Sequence, residues 1–263
     1  MFEVRLKTEP AFYDEYRQPC YLTGQIKGLA ENELDHLIQD AISDGYIDTI
    51  ANQLLALVKK ELLLASNNKQ LDVLEIGGGD GYFFDWLQDD VRSFINIEPG
   101  AVNLDSKGLK RTENPKYQAI KCSAENIPLY SNLVDIILSC GSFDHIPDYR
   151  AALGEINRLL RKGGVFILLM NNRRSWWKWL LSRTDYLKRH EEEILKEHYI
   201  QWSLAECEDR LSEFIPVSKI YSSIFFPHVP KLWRWCLPVC NTIGSSLIPR
   251  QGGNIIAVCR KQS

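Results

Sequence analysis

Four glycines and an acidic residue, Glu75-x-Gly77-Gly78-Gly79-x-Gly81, stand between the apolar run Leu71 to Ile76 and the segment that opens with Tyr82-Phe83-Phe84. A turn with so few side chains can take positive φ and bring its backbone against a ligand. The run before it has the length and branching of a buried strand, and residues 82–90 read as a helix. A glycine turn at a strand-to-helix crossing is where a nucleotide-like cofactor is held.

The spacing narrows the cofactor. A dinucleotide turn, G-x-G-x-x-G, needs a third glycine for close helix packing, and Tyr82 occupies that position here. A nicotinamide enzyme therefore stands as the alternative, beside a non-catalytic nucleoside-binding module. A second strand, Ser93 to Ile97, ends in Glu98-Pro99, which places a carboxylate past a neighbouring strand end, where it can accept from both hydroxyls of a ribose. Two more strands follow. One begins at Ala119 and leads into Ser123-Ala124-Glu125-Asn126-Ile127-Pro128; the other, Leu133 to Cys140, leads into Gly141-Ser142-Phe143-Asp144-His145-Ile146-Pro147-Asp148. Tyr149 to Leu160 reads as a helix closed by Lys162-Gly163-Gly164, and Val165 to Met170 as a fifth strand.

Taken together, residues 70 to 171 resemble the small-molecule type of class I S-adenosylmethionine-dependent methyltransferase. The resemblance implies S-adenosylmethionine as cofactor and an O- or N-methylated metabolite as acceptor. It assigns cofactor contacts to Glu75, Gly77, Gly78, Gly79, Gly81, Glu98, Pro99, Ser123, Ala124, Glu125 and Cys140. Ser123 stands where the family usually has an Asp that accepts from the adenine amino group, so this contact would carry no charge. A leading helix covers the cofactor in the family, and Phe12-Tyr13-Asp14-Glu15-Tyr16-Arg17 is the segment placed there, with Tyr13 toward the ligand. Of five histidines, His145 is the one placed past the fourth strand, and it is the candidate general base for a hydroxyl acceptor. The Pro-Pro-aromatic motif of enzymes that methylate amide or nucleobase nitrogens is replaced by Ser139-Cys140-Gly141-Ser142-Phe143.

The alternating elements predict an α/β, Rossmann-like doubly wound sheet, mostly parallel, with N-terminal helices and helical lid insertions, and the resemblance implies a C-terminal antiparallel strand. Residues 1–65 are expected to form an N-terminal helical cap and 66–263 the methyltransferase domain, with lids over about 171–213 and 227–253. In the first lid Arg173, Arg174, Trp176 and Trp177, with Lys178 and Trp179, put cations and indoles beside a strand end, and they are the expected acceptor contacts. Farther on, Ser203 and Glu206 have the spacing of a capping box. Phe214 to Phe226 and Asn254 to Arg260 are expected to pair as the last hairpin.

A net charge of −3 argues against a nucleic-acid surface. Seven scattered cysteines, an odd number, and a start that does not read as a secretory leader predict reduced thiols in a cytosol. No metal is expected, because Cys236-x-x-x-Cys240 with His228 matches no common zinc spacing. A small molecule is the expected partner, with peripheral membrane contact through the Trp-rich lid and a homodimer left open.

Overall fold

The computed structural model describes residues 55–60, 64, 70–79, 81–99, 111, 113–181, 199–225, 239 and 242–262. Most of the expected N-terminal cap, Tyr13 included, lies outside the described residues, as do Cys236, Cys240, His228 and much of the 227–253 insertion.

The elements that position the site alternate. They are β1 (Leu71–Ile76), α1 (Tyr82–Leu87), β2 (Val91–Ile97), β3 (Tyr117–Ile120), β4 (Val134–Cys140), α2 (Tyr149–Leu159), β5 (Leu160–Asn171), α3 (Trp176–Leu181), α4 (Leu204–Ser212), β6 (Val217–Ser223) and β7 (Asn254–Arg260). Seven strands form one sheet in the order β3-β2-β1-β4-β5-β7-β6. The pairs β1/β2, β1/β4, β2/β3 and β4/β5 are parallel, and β7 runs antiparallel to both β5 and β6. This is the mostly parallel sheet that the alternating elements predict, with the C-terminal antiparallel strand that the resemblance implies.

Both faces of the sheet are covered, which is why β1 is buried at every residue. Leu74 and Ile76 pack with α2 and α4 through Leu153, Ile156 and Leu211, whereas Val73 packs on the opposite face with Phe83, Phe84 and Leu87 of α1. The helix ends follow local rules. Asp148 caps α2 by accepting from the Arg150 and Ala151 amides, each at 3.1 Å. Ser203 and Glu206 form the expected capping box at α4.

One boundary differs from expectation. Lys162-Gly163-Gly164 is not a connector outside the strand; it lies within β5, which starts at Leu160. Val134 pairs with Leu160 and Ile136 with Val165, so the extra residues are taken up as a bulge with Gly163 at φ 78°.

The amino-terminal edge of the sheet is tied by charge. The Asp72 carboxylate, on β1 and almost fully buried, pairs with Arg92 of β2 and, at 2.8 Å, with Arg161 of β5, and accepts from Ser93 Oγ at 2.7 Å. Arg161 also reaches Asp135 at 2.7 Å. Burial works to raise the Asp72 pKa, but the hydrogen bonds from Arg92, Ser93 and Arg161 hold it below its ordinary value. A depressed folded-state pKa stabilises above the unfolded value and is lost as the pH falls through the folded one. Asp72→Asn should therefore cost about 2 kcal/mol at neutral pH, within the range for hydrogen bonds to a charged group. In urea unfolding the gap between variant and wild type should close below about pH 4.

Candidate active site

The carboxyl-terminal edge holds the glycine turn, and its glycines are fixed mainly by the protein beneath them. Gly77, Gly79 and Gly81 have φ of 65°, 58° and 82°, values that side chains disfavour. A Cβ on Gly77 would collide with Ser142, one on Gly78 with Glu75 and Asn96, and one on Gly81 with the Tyr117 hydroxyl. Ser142 Oγ donates to Ile76 O at 2.7 Å and lies 2.8 Å from Ser139 Oγ, which knits β4 to the start of the turn. Asn96 Nδ2 donates to Gly79 O at 3.0 Å and to Tyr117 Oη at 3.1 Å. Glu75 lies buried beneath this layer.

Glu98 stands just past β2 and is buried. Its Oε2 accepts from the Gly79 amide at 3.2 Å. The turn and the carboxylate that the sequence places separately are thus one assembly, with Pro99 half-buried beside it. Asn96, Tyr117 and Ser142 are the supporting residues that sequence reasoning missed. Asn96 did leave a signal: it is polar inside an apolar strand and two residues before Glu98, so both fall on one face of β2.

Ser123 and Ala124 are buried in the loop after β3. That loop is held by α2. Glu155 Oε2 accepts from the Ile127 amide at 2.9 Å, while Arg158 donates to Leu129 O at 2.6 Å and Ile127 O at 3.0 Å. Glu125 Oε1 accepts from the Asp148 amide at 3.5 Å. At the end of β4, burial and then the Glu75 charge push the Cys140 thiol up to about 12, so it stays protonated and unreactive at neutral pH. His145 closes a 3-10 turn, Phe143–His145, and is half-buried.

The Trp-rich segment docks onto the last hairpin. Trp176 Nε1 donates to Phe225 O at 2.8 Å and Trp177 Nε1 to Ile224 O at 3.1 Å, while Arg173 pairs with Glu206 at 2.7 Å. Arg174 is exposed. Among the described residues no group of His, Cys, Asp and Glu could hold a metal ion, and no helix is long and apolar enough to cross a membrane.

In open sheets of this kind a ligand binds beyond the carboxyl ends of the strands, where the turn after β1 and the acidic residue after β2 lie. A family model described as a methyltransferase domain matches residues 74–168. An uncharacterized methyltransferase of Mycobacteroides abscessus is 33% identical over 98 residues, covering 36% of this chain and 38% of the relative. A Mycolicibacterium smegmatis protein named as a probable S-adenosylmethionine-dependent methyltransferase is 29% identical over 102 residues, covering 39% of this chain and 38% of the relative. The chain thus spans under two fifths of the length of these curated relatives. In fold it is similar to a chain from a complex between the Haloferax volcanii Trm112 methyltransferase activator and a methyltransferase, with TM-score 0.58, 17% identity and coverage of 85% of this chain and 96% of that one. Residues 74–168 thus match a methyltransferase domain, and the sheet order with its antiparallel β7 is that of the class I methyltransferase fold.

The packing under the turn makes a prediction. Gly81→Ala should destabilise the protein by about 2 kcal/mol, from a strained backbone and the collision with Tyr117. Adding Tyr117→Phe should recover part of that loss in denaturant unfolding, because it removes the nearest colliding atom and leaves the strain and the ring contact at 2.9 Å.

Proposed function

We propose that the protein transfers the methyl group of S-adenosylmethionine to an oxygen or nitrogen of a small metabolite. The observation that carries this reading is the Glu98 carboxylate, 3.2 Å from the Gly79 amide at the carboxyl edge of the sheet. It is the acceptor a ribose diol needs, beside a turn where a Cβ at Gly77, Gly78 or Gly81 would collide with the protein. When bound, the cofactor supplies a methyl group already activated by its sulfonium.

In this reading Glu75, Gly77, Gly78, Gly79 and Gly81 shape the wall against the methionine moiety and ribose. Glu98 takes the diol, with Pro99 beside it. Ser123, Ala124 and Glu125 flank the adenine, Cys140 lies at the end of β4 below it, and Tyr13 comes from the leading segment. The remaining work is alignment, exclusion of water and uptake of a proton where the nucleophile carries one. His145 is the proposed base for that proton. The segments 171–213 and 227–253 are the proposed lids, with Arg173, Arg174, Trp176 and Trp177 framing the acceptor. A cytosolic setting accords with the free thiols of Cys122, Cys140, Cys207 and Cys259.

Calorimetry tests the reading. S-adenosylhomocysteine should bind and NAD should not, and heat from NAD alone would overturn it. Glu98→Ala should lose about 1.5–3 kcal/mol of S-adenosylhomocysteine affinity, the range for hydrogen bonds to a charged group. Wild-type affinity in that variant would remove Glu98 from the cofactor site.

A further inference from the structure

Two strands along the same edge from the glycine turn, the structure holds a lysine in an unusual setting. Lys178 of α3 is half-buried, and its Nζ donates to Asn171 Oδ1 at 2.8 Å and to Gly253 O at 3.2 Å. Both acceptors are neutral. The Trp177 ring lies 5.5 Å from the ammonium, and among the described residues no carboxylate comes within ion-pair distance of it. An ammonium has three donors, and the third has no acceptor among the described residues.

Its position is held by a relay. Asp144 Oδ2 accepts from the Asn171 backbone amide at 3.0 Å and from Asn171 Nδ2 at 2.8 Å. With Nδ2 turned to Asp144, the amide must present Oδ1 to Lys178. Asn171 ends β5, Asp144 follows β4 and Gly253 precedes the antiparallel β7, so all three mark the edge that carries Glu98. Strand spacing puts β5 about 10 Å from β1, the reach of a small acceptor lying beside the cofactor.

We propose that Lys178 anchors an oxyanion, a carboxylate or phosphate, of the methyl acceptor, with Asn171 and Asp144 as positioning residues. The proposal rests on the methyltransferase reading for what the bound anion belongs to. A partly desolvated ammonium whose direct partners are neutral meets its counter-charge, Asp144, only at one remove through Asn171, and an anionic ligand supplies a direct one. Burial lowers the Lys178 pKa to about 8, with the Asp144 charge working the other way. The nearby Arg173 is already tied to Glu206. An anion bound at Lys178 favours the charged form and must raise that pKa.

The test titrates inorganic phosphate and, separately, sodium acetate into the full chain, and follows Lys178 by trace acylation across pH with peptide mapping. One of the anions should move the Lys178 midpoint up from about 8 by about one unit or more. Lys178→Met should lose about tenfold or more in calorimetric affinity for that anion, and Lys178→Arg should keep most of it. The acylation series on the wild type decides the matter if Lys178→Met does not fold. A midpoint that neither anion moves, or unchanged anion affinity in folded Lys178→Met, overturns the proposal. S-adenosylhomocysteine is titrated in parallel: failure of its binding sinks the methyltransferase reading and leaves the anion result standing.

Discussion

The close approach of the β1–α1 turn to the sheet beneath it is the constraint on which the site depends. Gly77, Gly78, Gly79 and Gly81, three of them with φ near 60–80°, leave β1, lie against Glu75, Asn96, Tyr117 and Ser142, and enter α1 without a side-chain cap. Any Cβ at Gly77, Gly78 or Gly81 meets protein before it meets ligand. The glycines are thus required twice over. The fold needs them so that the turn can settle onto β2, β3 and β4, and only a turn settled there offers the Gly79 amide to Glu98.

The two edges of the sheet use charge in opposite ways. At the amino-terminal edge Asp72, Arg92, Arg161 and Asp135 neutralise one another and bind strands together. At the carboxyl-terminal edge the charged groups Glu98, Asp144 and Lys178 each meet neutral amides: Glu98 that of Gly79, Asp144 that of Asn171, and Lys178 the carbonyl oxygens of Asn171 and Gly253. A lysine whose direct partners are neutral keeps part of its field for a ligand, whereas a closed ion-pair network spends its field internally.

Helices α2 and α3 act on the site through loops and strand ends. Glu155 and Arg158 grip the loop that carries Ser123 and Ala124, and the α3 indoles grip the residues just after β6. Tryptophan has one ring donor, and in both Trp176 and Trp177 a main-chain carbonyl takes it. What these two residues can offer a ligand is therefore ring surface. Lys178 is the residue of α3 whose charged end reaches the strand edge.

By itself the sequence determined the alternation of strands and helices, the glycine turn and the carboxylate after the second strand, because periodicity, glycine placement and strand-end residues are local signals; the antiparallel last strand came only through the family resemblance. The Ser203–Glu206 capping box was legible for the same reason. What only the tertiary structure decided is which residues meet across strands. Asn96 with Gly79, Tyr117 against Gly81, Ser142 with Ile76, and Asp144 through Asn171 to Lys178 join residues separated by 7 to 66 positions. No local pattern encodes such pairs, since they follow from the strand order and register that bring β1, β2, β3, β4 and β5 to a common edge. The Gly163 bulge was hidden likewise: the same glycines can end a helix or bend a strand, and only pairing with β4 selects the second.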